Sequence, residues 1–262
     1  MITQLRRRLG ITRERVAHAR LLAERTALAL RPGEPSARTR ILCYHSVGQP
    51  EYGVNDVTAD RFRRQLDLAL SQGHRFVPAA DAATGGGSAK DLAITFDDGL
   101  RSVLETAVPI LHEFDVPATC FVVTSWLDHD HQWQRDKTLS WSGVRELADA
   151  GVEIGSHSLS HPDFSSITDD DARREMVESG RRISEELGTV VDSFAIPFGV
   201  AATWSDELTA MAHSAGYHHV YAQSEDKRPA GTIPRTFITS VDSDRRFTAA
   251  LHGAYDRWEE WS

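Results

Sequence analysis

Several features that mark common classes of protein are scarce or missing in this sequence. Its 262 residues include only two cysteines, Cys43 and Cys120, each in an apolar run typical of a separate strand. We therefore expect two buried free thiols rather than a disulfide. No apolar run approaches the roughly 20 residues that a transmembrane helix needs. No stretch has the apolar centre and small-residue cleavage site of a secretory signal, so we expect a cytoplasmic protein.

The distribution of charge argues against a nucleic-acid-binding protein. The chain carries −9 overall, but residues 1–40 hold ten arginines, no lysine and three glutamates, which gives +7 and leaves −16 for the rest. An acidic body argues against nucleic acid as the main ligand, because phosphate binding needs a basic face. The glycine-rich segment at residues 84–88 lacks the Lys-Ser/Thr ending of a phosphate-binding loop, so we assign it no ligand.

Residues 1–40 differ from the rest in pattern as well as in charge. Residues 1–30 show helical spacing of apolar positions with arginines between them, and two prolines and a glycine follow in a predicted linker over residues 31–39. We predict a basic helical extension over residues 1–40 and one catalytic domain over residues 41–262. The extension could dock on protein, including a second subunit, or lie on an anionic membrane as a peripheral anchor. No candidate site residue lies in it, so we expect the domain to fold without it.

From residue 41 onwards, apolar strands alternate with helices. The predicted strands are residues 41–44, 92–96, 118–123, 152–155, 193–197, 219–222 and 236–239, and the predicted helices are residues 58–72, 101–114, 141–150, 169–187 and 204–215, with N-caps at Thr58, Ser140, Thr168 and Thr203. Near-continuous apolar strands separated by helices favour an α/β fold with a parallel sheet buried on both faces. In a parallel barrel, the loops after the strands converge on one face, so residues from 45 to 198 could share a pocket.

A histidine pair and a carboxylate are the candidate metal ligands. His157 and His161 are four residues apart after a predicted strand, and a helical turn there would direct both imidazoles to one ion, although this spacing also arises by chance. Asp98 is the best third ligand, although an aspartate at a strand end also suits a helix N-cap. Two histidines and one carboxylate leave open positions on a divalent ion, which is typical of a catalytic site.

Two further residues could move protons beside such an ion. Asp97 precedes the proposed ligand Asp98, and it could accept a proton from water without binding the ion itself. His45 follows the first predicted strand and could protonate a leaving amine, because the unperturbed pKa of histidine lies near neutrality. A histidine that is simply hydrogen-bonded to backbone at a strand end is the alternative for His45.

Four segments together resemble the motifs of polysaccharide deacetylases with NodB homology, carbohydrate esterase family four. Residues 95–99 (Thr-Phe-Asp-Asp-Gly) resemble the first motif, residues 157–162 (His-Ser-Leu-Ser-His-Pro) the second, and residues 194–199 (Phe-Ala-Ile-Pro-Phe-Gly) the third. Residues 42–45 (Leu-Cys-Tyr-His) resemble the Leu-x-x-His motif, which is C-terminal in most members but comes first here. This order is similar to that of the circularly permuted subgroup of biofilm poly-N-acetylglucosamine deacetylases.

The resemblance implies a fold, a metal ion and a set of roles. The fold would be a distorted (β/α) barrel of about seven strands. One divalent ion, zinc first and cobalt or nickel next, would be held by Asp98, His157 and His161. Asp97 would be the general base and His45 the general acid. Many members carry an arginine at the third-motif position of Ala195, where it contacts the base, and alanine cannot do so.

The same resemblance suggests which residues contact a carbohydrate substrate. Pro197 and Phe198 belong to the third motif, which lines the substrate groove, and Tyr44 precedes His45. Trp141 lies in a segment similar to one found before the second motif in the subgroup, and its flat ring would suit a sugar face or, alternatively, the core. The leading hypothesis is a hydrolase that removes acetyl from an N-acetylated sugar. An O-acetyl esterase, another amide hydrolase and an inactive carbohydrate-binding protein are the alternatives.

Overall fold

A curled, all-parallel sheet forms the centre of the protein. We describe it from a computed structural model, which covers residues 13–30, 39–85, 87–128, 136–223 and 228–258. The strands are β1 (Arg40–Tyr44), β2 (Ser46–Val47), β3 (Asp56–Val57), β4 (Arg75–Phe76), β5 (Asp91–Phe96), β6 (Ala118–Val122), β7 (Glu153–Ser156), β8 (Ser193–Ala195), β9 (His219–Tyr221) and β10 (Thr236–Phe237). Seven of them lie in the order β10-β1-β5-β6-β7-β8-β9, β4 pairs with the start of β5, and β2 pairs with β3 apart from the main sheet. The seven predicted strands are confirmed, with small differences at their ends.

The sheet curls until its two edges meet through one segment of chain. Ile233 forms a parallel bridge with Tyr221 of β9, and its N–H donates to the carbonyl of Val220 at 2.7 Å. Three residues later the same segment becomes β10, which pairs with β1. The predicted distorted barrel of about seven strands is therefore the observed fold.

Helices cover the outside of the sheet. They are α1 (Arg13–Ala29), α2 (Ala59–Ser71), α3 (Ala79–Ala83), α4 (Val108–Phe114), α5 (Trp141–Asp149), α6 (Asp169–Leu187), α7 (Asp206–Ser214) and α8 (Asp244–Leu251), with a π-helical turn over Val103–Ala107 before α4. The caps Thr58, Ser140 and Thr168 accept the predicted backbone hydrogen bonds. Thr203 was wrong as a cap: Ser205 is the N-cap of α7, and its hydroxyl accepts from the N–H of Leu208. No helix in the described ranges is long and apolar enough to cross a membrane.

Alternation along each strand separates two hydrophobic cores, one inside the barrel and one between the sheet and the helices. One buried cluster contains Ile41, Ala93, Phe121, Ala195 and Tyr221, one residue from each of five strands. The residues between them along the strands belong to the larger core shared with the helices. Because successive side chains of a strand point to opposite faces, this pattern assigns the first cluster to the inside of the barrel. Both cysteines are buried and free, as predicted.

A buried arginine is the central polar contact between the helix α1 and the barrel. The guanidinium of Arg25 is fully buried, bonds to Asp242 at 2.6 Å and donates to the carbonyl of Phe237 at 2.8 Å. It also lies 4.4 Å from the ring centroids of both Tyr255 and Trp258. Residues 1–12 and most of the predicted linker lie outside the described residues. The domain boundary at residue 40 stays a prediction, but α1 is not independent of the barrel.

Candidate active site

The carboxyl ends of the strands surround a small pocket. It has a volume of about 200 Å³ and is lined by Cys43, His45, Asn55, Asp97, Asp98, His157, His161, Phe198, Gly199, Gln223, Arg235 and Phe237. The structure thus brings together the five residues predicted for metal binding and proton transfer, although 116 positions separate the first from the last of them in the printed sequence. Parallel strands make this possible because their carboxyl ends meet at one face of the barrel.

Three side chains in the pocket have the geometry of a metal site. Nε2 of His157 lies 3.7 Å from Oδ1 of Asp98, and Nε2 of His161 lies 3.8 Å from the same oxygen. All three ligand atoms lie within 4.8 Å of one another. Ligand atoms about 2.1 Å from a tetrahedral ion are separated by roughly 3.4 Å, so the Asp98 oxygen needs to approach each imidazole nitrogen by only a few tenths of an ångström to share one ion with it.

The backbone around Asp98 is held in an unusual conformation. Asp98 has a φ of 72°, in the left-handed region that few residues other than glycine adopt. Gly99 follows with a φ of 63°, and a Cβ there would lie 3.0 Å from Cγ1 of Val122. The first-motif glycine is therefore required both by its φ and by the close approach of β6. This turn directs the Asp98 carboxylate towards the two histidines.

The two histidines are presented by a loop rather than by the helical turn expected from their spacing. Residues 157–161 form no helix, and Ser158 and His161 have φ values of 70° and 60°. The buried carboxylate of Glu175 on α6 accepts from both the N–H and the hydroxyl of Ser160, at 2.8 and 2.7 Å. The ring of His161 stacks on Trp126, with centroids 5.6 Å apart. These contacts replace the helical hydrogen bonds in fixing the loop.

Burial and hydrogen bonding prepare the ligands for a cation. Nδ1 of His157 donates to the carbonyl of Ala195 at 2.8 Å, which leaves Nε2 with a free lone pair facing Asp98. Burial lowers the pKa of His157 to about 3, so this imidazole is neutral at physiological pH. Burial raises the pKa of Asp98 to about 6. A bound cation would favour the ionised carboxylate, so the residues present fit a divalent metal ion.

Arg235 forms an ion pair with Asp97, and no sequence motif had predicted this arginine as a site residue. The guanidinium donates to both carboxylate oxygens of Asp97, at 2.6 and 2.8 Å, with both side chains almost fully buried. Burial alone would raise the pKa of Asp97, but the charge of Arg235 outweighs it and holds that pKa below its ordinary value. Arg235 thus supplies the contact that Ala195 cannot make. The sequence offered one sign of this role. Arg235 lies two residues before Phe237, so strand alternation places both side chains on the same inward-facing side of the chain.

His45 lies at the pocket, as expected for a proton donor. Its ring meets that of Phe237 edge to face, with centroids 5.0 Å apart. Its Nδ1 is buried and has no hydrogen-bond partner among the described residues. The backbone-bonded alternative for this histidine therefore finds no support at that nitrogen.

Of the four residues predicted to contact the substrate, only Phe198 lines the pocket. Phe198 lines the pocket, is 51% exposed, and meets the ring of His161 with centroids 4.7 Å apart. Pro197 is buried and is not part of the pocket lining. Phe198 therefore carries the accessible apolar surface of the third motif.

Tyr44 was wrong as a pocket residue, and Trp141 lies apart from the pocket. Tyr44 is fully buried, packs edge to face on Phe62 and donates its hydroxyl to Gln65 at 3.0 Å. Strand alternation explains this, because Cys43 and His45 line the pocket and the residue between them must face the helices. Trp141 lies outside the pocket lining; its Nε1 donates to Asp128 at 2.9 Å.

A comparison with protein families identifies the chain. A family model described as polysaccharide deacetylase matches residues 84–220, just over half of its length. The chain belongs to the polysaccharide deacetylase family. The match begins after His45 and ends before Arg235, so the candidate acid and the arginine that holds Asp97 both lie outside it.

Individual relatives of this polysaccharide deacetylase are distant. It is 29% identical over 138 residues to a chitooligosaccharide deacetylase of Sinorhizobium fredii, covering 52% of this chain and 58% of that one. YxkH of Bacillus subtilis is 23% identical over 189 residues, which cover 70% of this chain and 64% of that one. The chain thus spans about three fifths of the length of these curated relatives.

Solved structures confirm the fold. The Streptococcus pyogenes deacetylase PplD superposes with a TM-score of 0.70 over 83% of this chain and 99% of its own, at 22% identity. IcaB from Ammonifex degensii superposes with a TM-score of 0.68 over 84% of this chain and 99% of its own, at 21% identity.

Proposed function

We propose that this polysaccharide deacetylase hydrolyses the acetamide of an N-acetylated sugar with one divalent metal ion. The observation that carries the proposal is the position of the ion-paired carboxylate of Asp97 beside the Asp98, His157 and His161 cluster: Oδ2 of Asp97 lies 3.8 Å from Nε2 of His157. The name of the Sinorhizobium relative, a chitooligosaccharide deacetylase, supports an N-acetylglucosamine-type substrate.

The metal would be held by Asp98, His157 and His161. Two imidazoles and one carboxylate suit zinc, and cobalt and nickel accept the same donors. Such an ion, when bound, polarises an acyl oxygen and lowers the pKa of water.

The remaining chemistry belongs to residues of the chain. Asp97 would accept a proton from water, and the bidentate contact with Arg235 keeps the carboxylate ionised and fixes its direction. His45 would donate a proton to the nitrogen of the amide, because this nitrogen can leave only as a neutral amine. Phe198 would cover the apolar face of the sugar at the rim of the pocket.

Substitution of the base tests the assignment of roles. Asp97→Asn removes the proton acceptor but none of the metal ligands, so acetate release from an N-acetylglucosamine oligomer should fall by about 10²–10⁴-fold. Metal content, measured by mass spectrometry, should match that of the wild type. His161→Ala should instead lose metal. Because Asp97→Asn leaves Arg235 without its charged partner, melting curves must show that the variant is folded. Loss of metal from folded Asp97→Asn, or full activity after chelation, would refute the mechanism.

A further inference from the structure

The pocket contains two amide side chains whose oxygens find no hydrogen-bond partner in the part of the chain that the structure describes. Gln223 is only 6% exposed, and its Oε1 has no hydrogen-bond partner among the described residues. Asn55, from the 3₁₀ segment between β2 and β3, also lines the pocket, and its Oδ1 is buried and unpartnered in the same way. Buried polar atoms without a partner destabilise a fold and are uncommon in native proteins. Their presence in a pocket indicates groups that await a ligand.

Gln223 is held in place by the third-motif loop. Its N–H donates to the carbonyl of Gly199 at 2.8 Å. Gly199 has a φ of 67°, and a Cβ there would lie only 3.1 Å from Cβ of Gln223. The backbone hydrogen bond and the close approach of the two chain segments fix the main chain of Gln223 beside the residue that follows Phe198. A side chain that starts from a fixed main chain loses less conformational freedom when it binds a ligand.

The surroundings of these amides define the ligand group that fits them. Asp97 and Arg235 also line the pocket, but they pair with each other through a bidentate contact, so neither offers an unpaired charge to a ligand of the amides. A hydroxyl group can both donate and accept, and it therefore satisfies either end of a primary amide. An acetyl methyl group can do neither. Phe198 and Phe237 supply apolar surface beside the amides, as the C–H face of a sugar ring requires.

We propose that Gln223 and Asn55 bind hydroxyl groups of the sugar that carries the acetamide. They are specificity-determining residues, which select a polyhydroxylated ring over other acetyl compounds that could reach the metal site. The reason is that a ligand without hydroxyl groups leaves both buried amide oxygens unsatisfied, which costs more than the loss of a favourable contact. This inference rests on the proposed function and adds to it the part of the substrate that the site recognises.

The test compares two acetyl donors across matched variants. Acetate release is measured from a β-1,4-linked N-acetylglucosamine tetramer and from 4-nitrophenyl acetate, which offers the same acyl group without hydroxyls. Gln223→Leu should lower kcat/KM for the tetramer on the order of tenfold or more, chiefly through KM. The ratio of kcat/KM for the tetramer to kcat/KM for 4-nitrophenyl acetate should fall by a similar factor. Asn55→Leu should act in the same direction.

Two controls separate recognition from folding. Gln72→Leu removes the amide of the glutamine that caps the C-terminal end of α2, where its Nε2 donates to Thr248 at 3.1 Å outside the pocket, and it should leave the ratio unchanged. Metal content of Gln223→Leu should equal that of the wild type. If Gln223→Leu does not fold, Asn55→Leu carries the same comparison.

The possible failures are distinguishable. If the wild type hydrolyses the tetramer and both pocket variants keep the wild-type ratio, this inference is wrong and the proposed function stands. Equal losses on both donors would likewise overturn it, since the amides would then serve the structure of the site. If the wild type releases acetate from the ester but from no N-acetylated sugar, the proposed function is wrong, and the inference falls with it.

Discussion

The buried Arg25 offers the sharpest test of how α1 belongs to the protein. Its ion pair with Asp242 has both side chains at 0% exposure. Asp242 also accepts from the N–H and hydroxyl of Thr239, at 2.8 and 3.0 Å. Arg25→Met keeps a long apolar side chain but leaves the Asp242 carboxylate buried without its cation. We expect this variant to be strongly destabilised.

The size of the effect follows from the burial of the pair. Removing one partner of a buried ion pair costs about 3–5 kcal/mol, because the remaining charge is neither solvated nor paired. For a domain of this size, 1 kcal/mol corresponds to a shift of about 2–4 °C in Tm, so the expected drop is about 6–20 °C. Arg20, on the same helix, pairs with Glu24 at the surface, where the two side chains are 68% and 39% exposed. Arg20→Met should therefore change stability by less than about 1 kcal/mol.

The assay is thermal unfolding of the full chain, followed by circular dichroism and repeated by calorimetry. Asp242→Asn in the Arg25→Met background should recover part of the lost stability, because it removes the unpaired charge. The same reasoning predicts that a chain that begins at residue 38, and therefore lacks α1, is less stable than the full chain. This is contrary to our expectation from sequence that the domain folds without its extension. If Arg25→Met melts at the same temperature as Arg20→Met, the docking of α1 through this arginine is refuted.

Three further predictions concern the site. Arg235→Gln removes the charge that offsets burial, so the pKa of Asp97 should rise, and the acidic limb of the pH profile of kcat/KM should move to higher pH; an unmoved limb would exclude Asp97 as the titrating base. Metal affinity, measured by calorimetry, should weaken as the pH falls through about 6, because protons then compete for Asp98; affinity independent of pH between 5 and 8 would contradict this. Trp141→Ala should leave KM for an N-acetylglucosamine oligomer within about twofold of the wild type, since its indole contacts Asp128 outside the pocket, and a tenfold rise would restore it as a substrate contact.

Much of the site could be predicted from sequence because its signals are local. Asp98 and His157 each follow a run of apolar residues, and strand ends in a parallel barrel converge. Alternation along β1 would also have excluded Tyr44 from the pocket, since Cys43 and His45 occupy the inward positions on either side of it. The two histidines do come together beside Asp98, although a loop with left-handed residues, rather than the predicted helical turn, brings them there.

The sequence alone thus determined the order of the seven strands of the main path and of the larger helices between them, and it singled out the residues of the candidate metal cluster, because apolar periodicity and short motifs depend on neighbouring residues. Only the tertiary structure decided the contacts made across the chain. Arg235 reaches Asp97 over 138 positions, because residues 233–237 close the barrel between β9 and β1. Arg25 reaches Asp242 over 217 positions. Which buried charge meets which partner depends on how the sheet curls and where α1 docks, and no local pattern in the sequence encodes that geometry.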